Sequence, residues 1–298
     1  MTLPIPPTGF HYVGNCIRPP SEYNSILLQA TLGCSHSKCT FCGAYNDKKF
    51  AIKDQKYLES DLEFASIYCK NQDRVFIMDG DALIMPMKNW KWLLTQIKEK
   101  LPWVNRTSCY ANLKSIMLKS DEDLTWLYEN GLKAVFIGLE SGHAQVRKDI
   151  RKGGTPEELI HHLKRLKKIG IKMVTIVLLG LGQKKLSLEH AQETGYALSQ
   201  IDPEAVSALS LIPLPGTPVG DAVANSSFEL LDAMEMVAEL RELVKHTHLS
   251  RGAFRSVHAS NYLSIDARFP EDKEDVFAVL DKALAGDIKL KPEWMRGL

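Results

Sequence analysis

The chain has 298 residues, 45% of them hydrophobic and 24% charged, and a net charge of +1. This is the profile of an ordinary globular protein, with no field strong enough to draw a polyanionic partner, so nucleic acid is not the partner that composition suggests. The longest apolar runs, such as Met173 to Gly182, reach about half a membrane span, and the opening MTLPIPPTGFHYVGN lacks the basic and apolar regions of a secretory signal. A cytoplasmic protein without a membrane partner is expected.

The elements alternate along the chain. Ile26 to Cys34 reads as a strand that runs into a cysteine-rich loop, followed by a helical pattern in Tyr57, Leu58, Leu62, Ala65 and Tyr68. Arg74 to Gly80 is a buried-strand pattern, Asn89 to Leu101 is helical, and Arg106 to Leu113 is extended. Ser120 caps the next helix and Gly131 stops it, before a fourth strand from Lys133 to Glu140. Thr155, Pro156 and Glu158 give an N-cap, a first-turn proline and a capping-box acid for a helix ending at Gly170. A fifth strand spans Ile171 to Gly180, a fifth helix Ser187 to Gln200, and a sixth strand Ala205 to Pro213.

Near-continuous apolar strands separated by helices mean a parallel sheet with covered faces. The fold class expected is α/β, a partial (β/α)6 TIM-type barrel, two units short of the full eightfold form. A long helix capped by Ser226 and Glu229, a loop from Arg251 to Leu263 and a last helix from Glu271 to Ala285 make a C-terminal helical extension. The division expected is an N-terminal extension over 1–25, the core over 26–219 and the extension over 220–298, closing the barrel.

Cys34, Cys39 and Cys42 follow the spacing C-x4-C-x2-C directly after the first strand, where parallel α/β folds place their chemistry. Thiolates suit zinc or an iron–sulfur cluster. A structural zinc site is closed by four ligands, usually as two separated pairs, and no second pair follows at finger-like distance. His36 would complete such a site only in a cramped arrangement between Cys34 and Cys39. Three thiolates on a cubane of four irons leave one iron open to a small molecule. Cys16, Cys69 and Cys109 read as small buried apolar residues.

With this loop, GDAL after the second strand, GLESG at the end of the fourth and LIPLPGTP after the sixth, the chain resembles the radical S-adenosylmethionine (SAM) superfamily. The likeness is to the core shared by the Elongator catalytic subunit and the tRNA methylthiotransferases, and it covers roughly Ile26 to Val219. One residue more than the commonest C-x3-C-x2-C marks a subgroup.

The resemblance implies a [4Fe-4S] cluster on Cys34, Cys39 and Cys42, with S-adenosylmethionine on the open iron, cleaved reductively to a 5'-deoxyadenosyl radical that abstracts hydrogen from a substrate. It implies an external electron donor of the flavodoxin or ferredoxin type. Phe41 resembles the aromatic placed against cluster or adenine. The backbone carbonyls of the turn and Asp81 would receive the SAM ammonium, and Gly80 would let the chain approach closely. Glu140, with Ser141 nearby, would accept from ribose or amino groups, Asn112 is a further polar candidate, and Ile212 and Pro213 resemble the adenine-contacting segment. Arg147 and Arg151 match basic residues near the cofactor carboxylate, or a solvated helix face. Arg255, His258, Asn261 and Tyr262 are candidates for contact with a small-molecule substrate. A non-catalytic zinc or iron–sulfur sensor and a radical SAM enzyme acting on RNA are the alternatives.

Overall fold

The computed structural model describes residues 9–297, so the start of the expected N-terminal extension lies outside the described residues. Two compact units emerge. The first runs to Ser37 and takes in Ala44–Phe136 and Lys168–Lys172; the second holds Lys38–Gly43, Ile137–Lys167 and the chain from Met173 onward. Eight of the ten described strands belong to one mostly parallel sheet, and helices alternate with them in sequence, as a partial barrel of the TIM type requires.

In the first unit, β1 (Ile26–Leu28) is followed at once by β2 (Thr31–Leu32), which pairs antiparallel with β3 (Ala51–Ile52). The expected single strand is thus two, and the short β2/β3 pair ties together the two ends of the cysteine loop. Helix α1 (Gln55–Tyr68) is capped by Asp54, whose carboxylate accepts from the Lys56 amide at 3.1 Å, and buries Leu58, Leu62 and Ala65. Strand β4 (Arg74–Ile77) pairs parallel with β1. Helix α2 (Met87–Lys100) turns Trp90, Leu93, Leu94 and Ile97 inward, the i, i+3, i+4, i+7 stripe of a helix on a sheet. Strand β5 (Arg106–Ala111) pairs parallel with β4 and stops because Asn112 caps a short helix, α3 (Leu113–Met117), within the stretch read as extended. Ser120 caps α4 (Asp121–Glu129) as expected. Phe76, Tyr110 and Phe136 pack edge to face at 5.2–6.1 Å and fill the space beneath these strands.

Strand β6 (Leu132–Glu140) carries the chain from the first unit into the second, which continues with α5 (Ala144–Asp149) and α6 (Pro156–Ile169). The Thr155 and Glu158 capping box closes reciprocally at 3.2 and 2.8 Å. Strand β7 (Lys172–Leu179) leads to α7 (Gln183–Ile201), which starts four residues before its expected origin, and β8 (Ala205–Ser210) lies parallel to β7. Helix α8 (Pro218–Ala224) follows under a Thr217 cap, and α9 (Ala233–His246) starts at Asp232 with Glu235 as its box partner. Ser226 therefore does not cap α9; it has a left-handed backbone at φ 61°, in the link between the two helices.

The segment read as a C-terminal loop contains a seventh parallel strand, β9 (Gly252–Arg255), beside β8, and β10 (Asp266–Phe269) pairs antiparallel with it. Four residues are too few for an alternation to show in sequence. Helix α10 (Lys273–Leu284) completes the extension. Among the described residues no helix is long and apolar enough to cross a membrane.

Candidate functional site

The cysteine loop is gripped at its start by the turn after β4. Asp79 is wholly buried with a left-handed backbone at φ 69°; its carboxylate accepts from the Gly33 amide and the Gln29 amide group, each at 3.0 Å, and pairs with Lys48 Nζ at 3.0 Å. The Gly80 amide donates to the Gly33 carbonyl at 3.0 Å. Ser35 Oγ donates to Asp81, which also accepts from Asn112 Nδ2 at 2.7 Å and the Asn112 amide at 3.2 Å. Residues 33–35 and 79–81 are thus laced together along their length. Burial raises the Asp81 carboxyl above the usual range, while hydrogen bonds from Ser35, Ser115 and Asn112 pull the other way. A Cβ on residue 80 would sit 2.6 Å from Cys34 Cβ and 2.8 Å from the Tyr45 ring, so only glycine permits this approach.

In the second unit the later part of the loop has its own anchors. The Thr40 amide donates to the Ile150 carbonyl and the Thr40 carbonyl accepts from Val219, both at 3.0 Å, and the Cys42 amide donates to the Cys39 carbonyl at 3.3 Å. Phe41 is half-buried, and Cys34, Cys39 and Cys42 are each partly exposed. Among the described residues no three His, Cys, Asp or Glu side chains converge on a single-ion position. A cubane spreads its thiolates over separate irons, so the donor chemistry is the relevant test. Three thiols on one short loop, the first against a turn whose closeness a Cβ would abolish, fit such a cluster.

The GLESG turn is equally built. Glu140, at φ 61°, accepts from Lys152 Nζ at 2.9 Å, which answers the need of a buried carboxylate for a partner. Arg147 lies on no solvated face. It is buried and donates to the carbonyls of Leu139, Ser141, Gly153 and Gly154 at 2.6–3.2 Å, locking the turn, and burial lowers its pKa. Ser141 Oγ meets His190 Nδ1 at 2.8 Å and accepts from the His143 amide at 3.0 Å.

His190 and Glu239 were not singled out in the sequence, although each is a polar residue in the apolar stripe of its helix, α7 or α9. His190 Nε2 faces the Leu178 carbonyl at 3.2 Å, which assigns the proton there and leaves Nδ1 to accept from Ser141; burial pushes this imidazole down to about 4. Glu239, wholly buried, accepts from the Gly180 amide at 2.7 Å and Ser187 Oγ at 2.5 Å, yet burial pushes its carboxyl up to about 7. The Gly180 turn, at φ 86°, is held by this carboxylate.

Three of the four C-terminal candidates gather at the exit of β8. Asn261 is buried; its amide nitrogen donates to the Ala208 and Ser256 carbonyls at 2.8 and 2.9 Å, and its oxygen accepts from Ser210 Oγ at 2.9 Å. His258 Nδ1 meets Ser260 Oγ at 2.9 Å, and burial lowers its pKa. The Tyr262 hydroxyl joins Glu293 and Arg296, and burial pushes it up to about 12. Arg255 stands apart, paired with Asp266 at 2.9 Å on the exposed face of the β9/β10 pair, whose Phe254 and Phe269 are buried. Ile212 and Pro213 follow β8 and are half-buried. Of the scattered cysteines only Cys109 is buried as expected; Cys16 and Cys69 are partly exposed.

A family model described as the radical SAM superfamily matches residues 28–194, more than half of the chain. The chain belongs to this superfamily of enzymes, whose cofactors are a [4Fe-4S] cluster and S-adenosylmethionine. It is 28% identical over 206 residues to the biotin synthase of Schizosaccharomyces pombe, covering 67% of this chain and 54% of that protein, so it spans about half the length of that relative. An uncharacterized protein of Methanocaldococcus jannaschii is 23% identical over 293 residues, 91% of this chain and 80% of the other. Among solved structures, the radical SAM methyltransferase TsrM of Kitasatospora setae, with cobalamin and a [4Fe-4S] cluster bound, superposes with a TM-score of 0.56 at 15% identity over 67% of this chain and 39% of its own. The coproporphyrinogen III oxidase HemN of Escherichia coli gives 0.55 at 15% over 74% and 51%. Identities this low show the shared fold alone.

Proposed function

We propose that the chain is a radical SAM enzyme that binds its cluster through Cys34, Cys39 and Cys42 and acts on a small molecule with electrons from a flavodoxin- or ferredoxin-type donor. When bound and reduced, such a cluster supplies the electron that splits S-adenosylmethionine into methionine and a 5'-deoxyadenosyl radical. The chain's own residues bind and orient. The observation that carries the reading is the lacing of Gly33–Ser35 to Asp79–Asp81, which fixes the first cysteine against a glycine turn.

Because the Asp81 oxygens already accept from Ser35 and Asn112, the SAM ammonium is assigned to the backbone carbonyls of the same turn, with Asp81 and Asn112 holding the turn in shape. Glu140 is the acceptor for ribose or amino groups, oriented by Lys152, and Ser141 holds its loop through His190. Phe41 contributes an aromatic face beside the thiolates, and Ile212 and Pro213 an apolar wall for adenine. The net charge of +1 supports a small-molecule substrate over RNA. Anaerobic reconstitution and reduction in the presence of S-adenosylmethionine is expected to yield 5'-deoxyadenosine, and replacing any of the three cysteines by serine to abolish it. A fully loaded cluster without that product overturns the reading.

A further inference from the structure

Arg296 follows the last helix of the extension, in a stretch without long secondary structure, yet its side chain is only 4% exposed. A buried guanidinium is unfavourable unless its donors are satisfied. Here they are. Nε donates to the Ser260 carbonyl at 2.6 Å, Nη1 to the Tyr262 hydroxyl at 2.6 Å and to Glu293 at 2.8 Å, and Nη2 to the Leu211 carbonyl at 2.8 Å. The guanidinium also stacks on the Tyr262 ring at 4.2 Å. Around it the segment from Lys291 to Gly297 bonds to Ala259 and Tyr262 through the Lys291 and Gly297 amides and the Lys291 ammonium.

The residue at the far end of this network matters most. Leu211 leaves β8, its amide bound to the Leu179 carbonyl of β7 at 3.0 Å, and Ile212 and Pro213 come directly after it. Its carbonyl therefore helps fix the direction in which the chain enters Ile212 and Pro213. A planar guanidinium, already held by Ser260 and Tyr262, sets that carbonyl more rigidly than a flexible ammonium could. We propose that Arg296 is a positioning residue for S-adenosylmethionine: the segment from Lys291 to Gly297 latches the exit of β8 and thereby shapes the wall against which the adenine rests. The inference rests on the functional reading above, and it makes the segment around Arg296 part of the cofactor site.

The test uses the full-length, cluster-loaded protein and S-adenosylmethionine itself. Arg296→Ala is expected to weaken SAM binding by roughly tenfold to a hundredfold, the scale on which a displaced positioning contact acts, while iron content stays that of the parent. Arg296→Lys should recover little of this, and Tyr262→Phe, which spares the bond to Leu211, should lose less. By linkage, saturating S-adenosylmethionine must in turn tighten the latch, so removal of the C-terminal residues by a carboxypeptidase should slow in its presence. If Arg296→Ala does not fold, the trimming assay on the parent protein decides alone. Unchanged affinity in a folded Arg296→Ala variant, or trimming indifferent to S-adenosylmethionine, overturns the inference. A parent protein that binds none, with its cluster loaded, overturns the functional reading instead.

Discussion

Lys48 and Asp79 form an ion pair sealed from solvent, Nζ 3.0 Å from Oδ2 with the two side chains 5% and 0% exposed, and the same carboxylate holds the Gly33 amide next to Cys34. Burying both charges is costly, so the pair is an orienting device more than a source of net stability. Asp79→Asn leaves the ammonium of Lys48 uncompensated and should lower stability by about 3–5 kcal/mol. Adding Lys48→Met removes the orphaned charge and should restore a large share of the loss. Denaturation of the parent, both single variants and the double variant measures the coupling; a double variant no better than Asp79→Asn contradicts the account.

Gly80→Ala tests the same corner from the other side. Its Cβ would meet Cys34 at 2.6 Å from Cβ and 3.0 Å from Cα, and backbone cannot retreat as a side-chain tip can. Cluster affinity should fall on the order of tenfold to a hundredfold, as when the support of a metal ligand is lost. Iron content and absorption after reconstitution report it, with Cys69→Ser, partly exposed and outside the C-x4-C-x2-C loop, as the control expected to load normally.

Much of the fold could be read from the sequence, because near-continuous apolar strands and capped helices are local signals. Thr155 and Glu158 close the box their spacing announces, and five of the six expected strands lie where the apolar runs put them, the first being split into β1 and β2. What was not legible depended on partners far along the chain. Gln29 breaks the first strand because its side chain reaches Val13 and Asp79, 16 and 50 residues away. Strand β9 exists because β8 offers it an edge, and its four residues carry no pattern of their own. The cysteines were visible because their spacing is the chemistry. The hold of Asp79 on Gly33, and the burial of Arg147, rest on contacts no periodicity encodes.

Two glycines of one strand and its turn should respond differently to the same methyl group. A Cβ at Gly138 would meet only the tips of Glu140 and Lys152, at 2.1 and 2.7 Å, which can swing aside. One at Gly142 would meet the backbone carbonyl of Glu193 at 2.4 Å and the Thr194 Cα at 2.7 Å. Gly138→Ala is therefore expected to keep the fold while breaking the Glu140–Lys152 pair and weakening SAM binding. Gly142→Ala should lose stability by about 1–3 kcal/mol, the usual penalty of overpacking. Melting temperatures beside SAM titrations separate the two outcomes; equal loss of stability in both variants contradicts the assignment.

The buried Glu239 predicts a pH dependence whose sign can be worked out. Its ordinary value of 4.5 is pushed up to about 7 by burial, so between these limits the folded protein keeps a proton that the unfolded chain has released. Stability from this group is fully present below 4.5, declines as pH rises toward 7, and stays lost above; the shift corresponds to roughly 3 kcal/mol. His190, 3.6 Å away, acts in the opposite sense, since its value is lowered from 6.5 to about 4 and stability from it is lost as pH falls through that range. The two oppose one another below pH 6.5, so the parent's profile alone is ambiguous. Glu239→Gln resolves it, because glutamine accepts from the Gly180 amide and donates to Ser187 without ever bearing charge. Its stability should match the parent's near pH 4 and exceed it at pH 8 by a margin of that order, since the His190 contribution is common to both. Urea denaturation of the two proteins at both pH values measures the difference, and parallel profiles would mean that Glu239 remains ionised inside the fold.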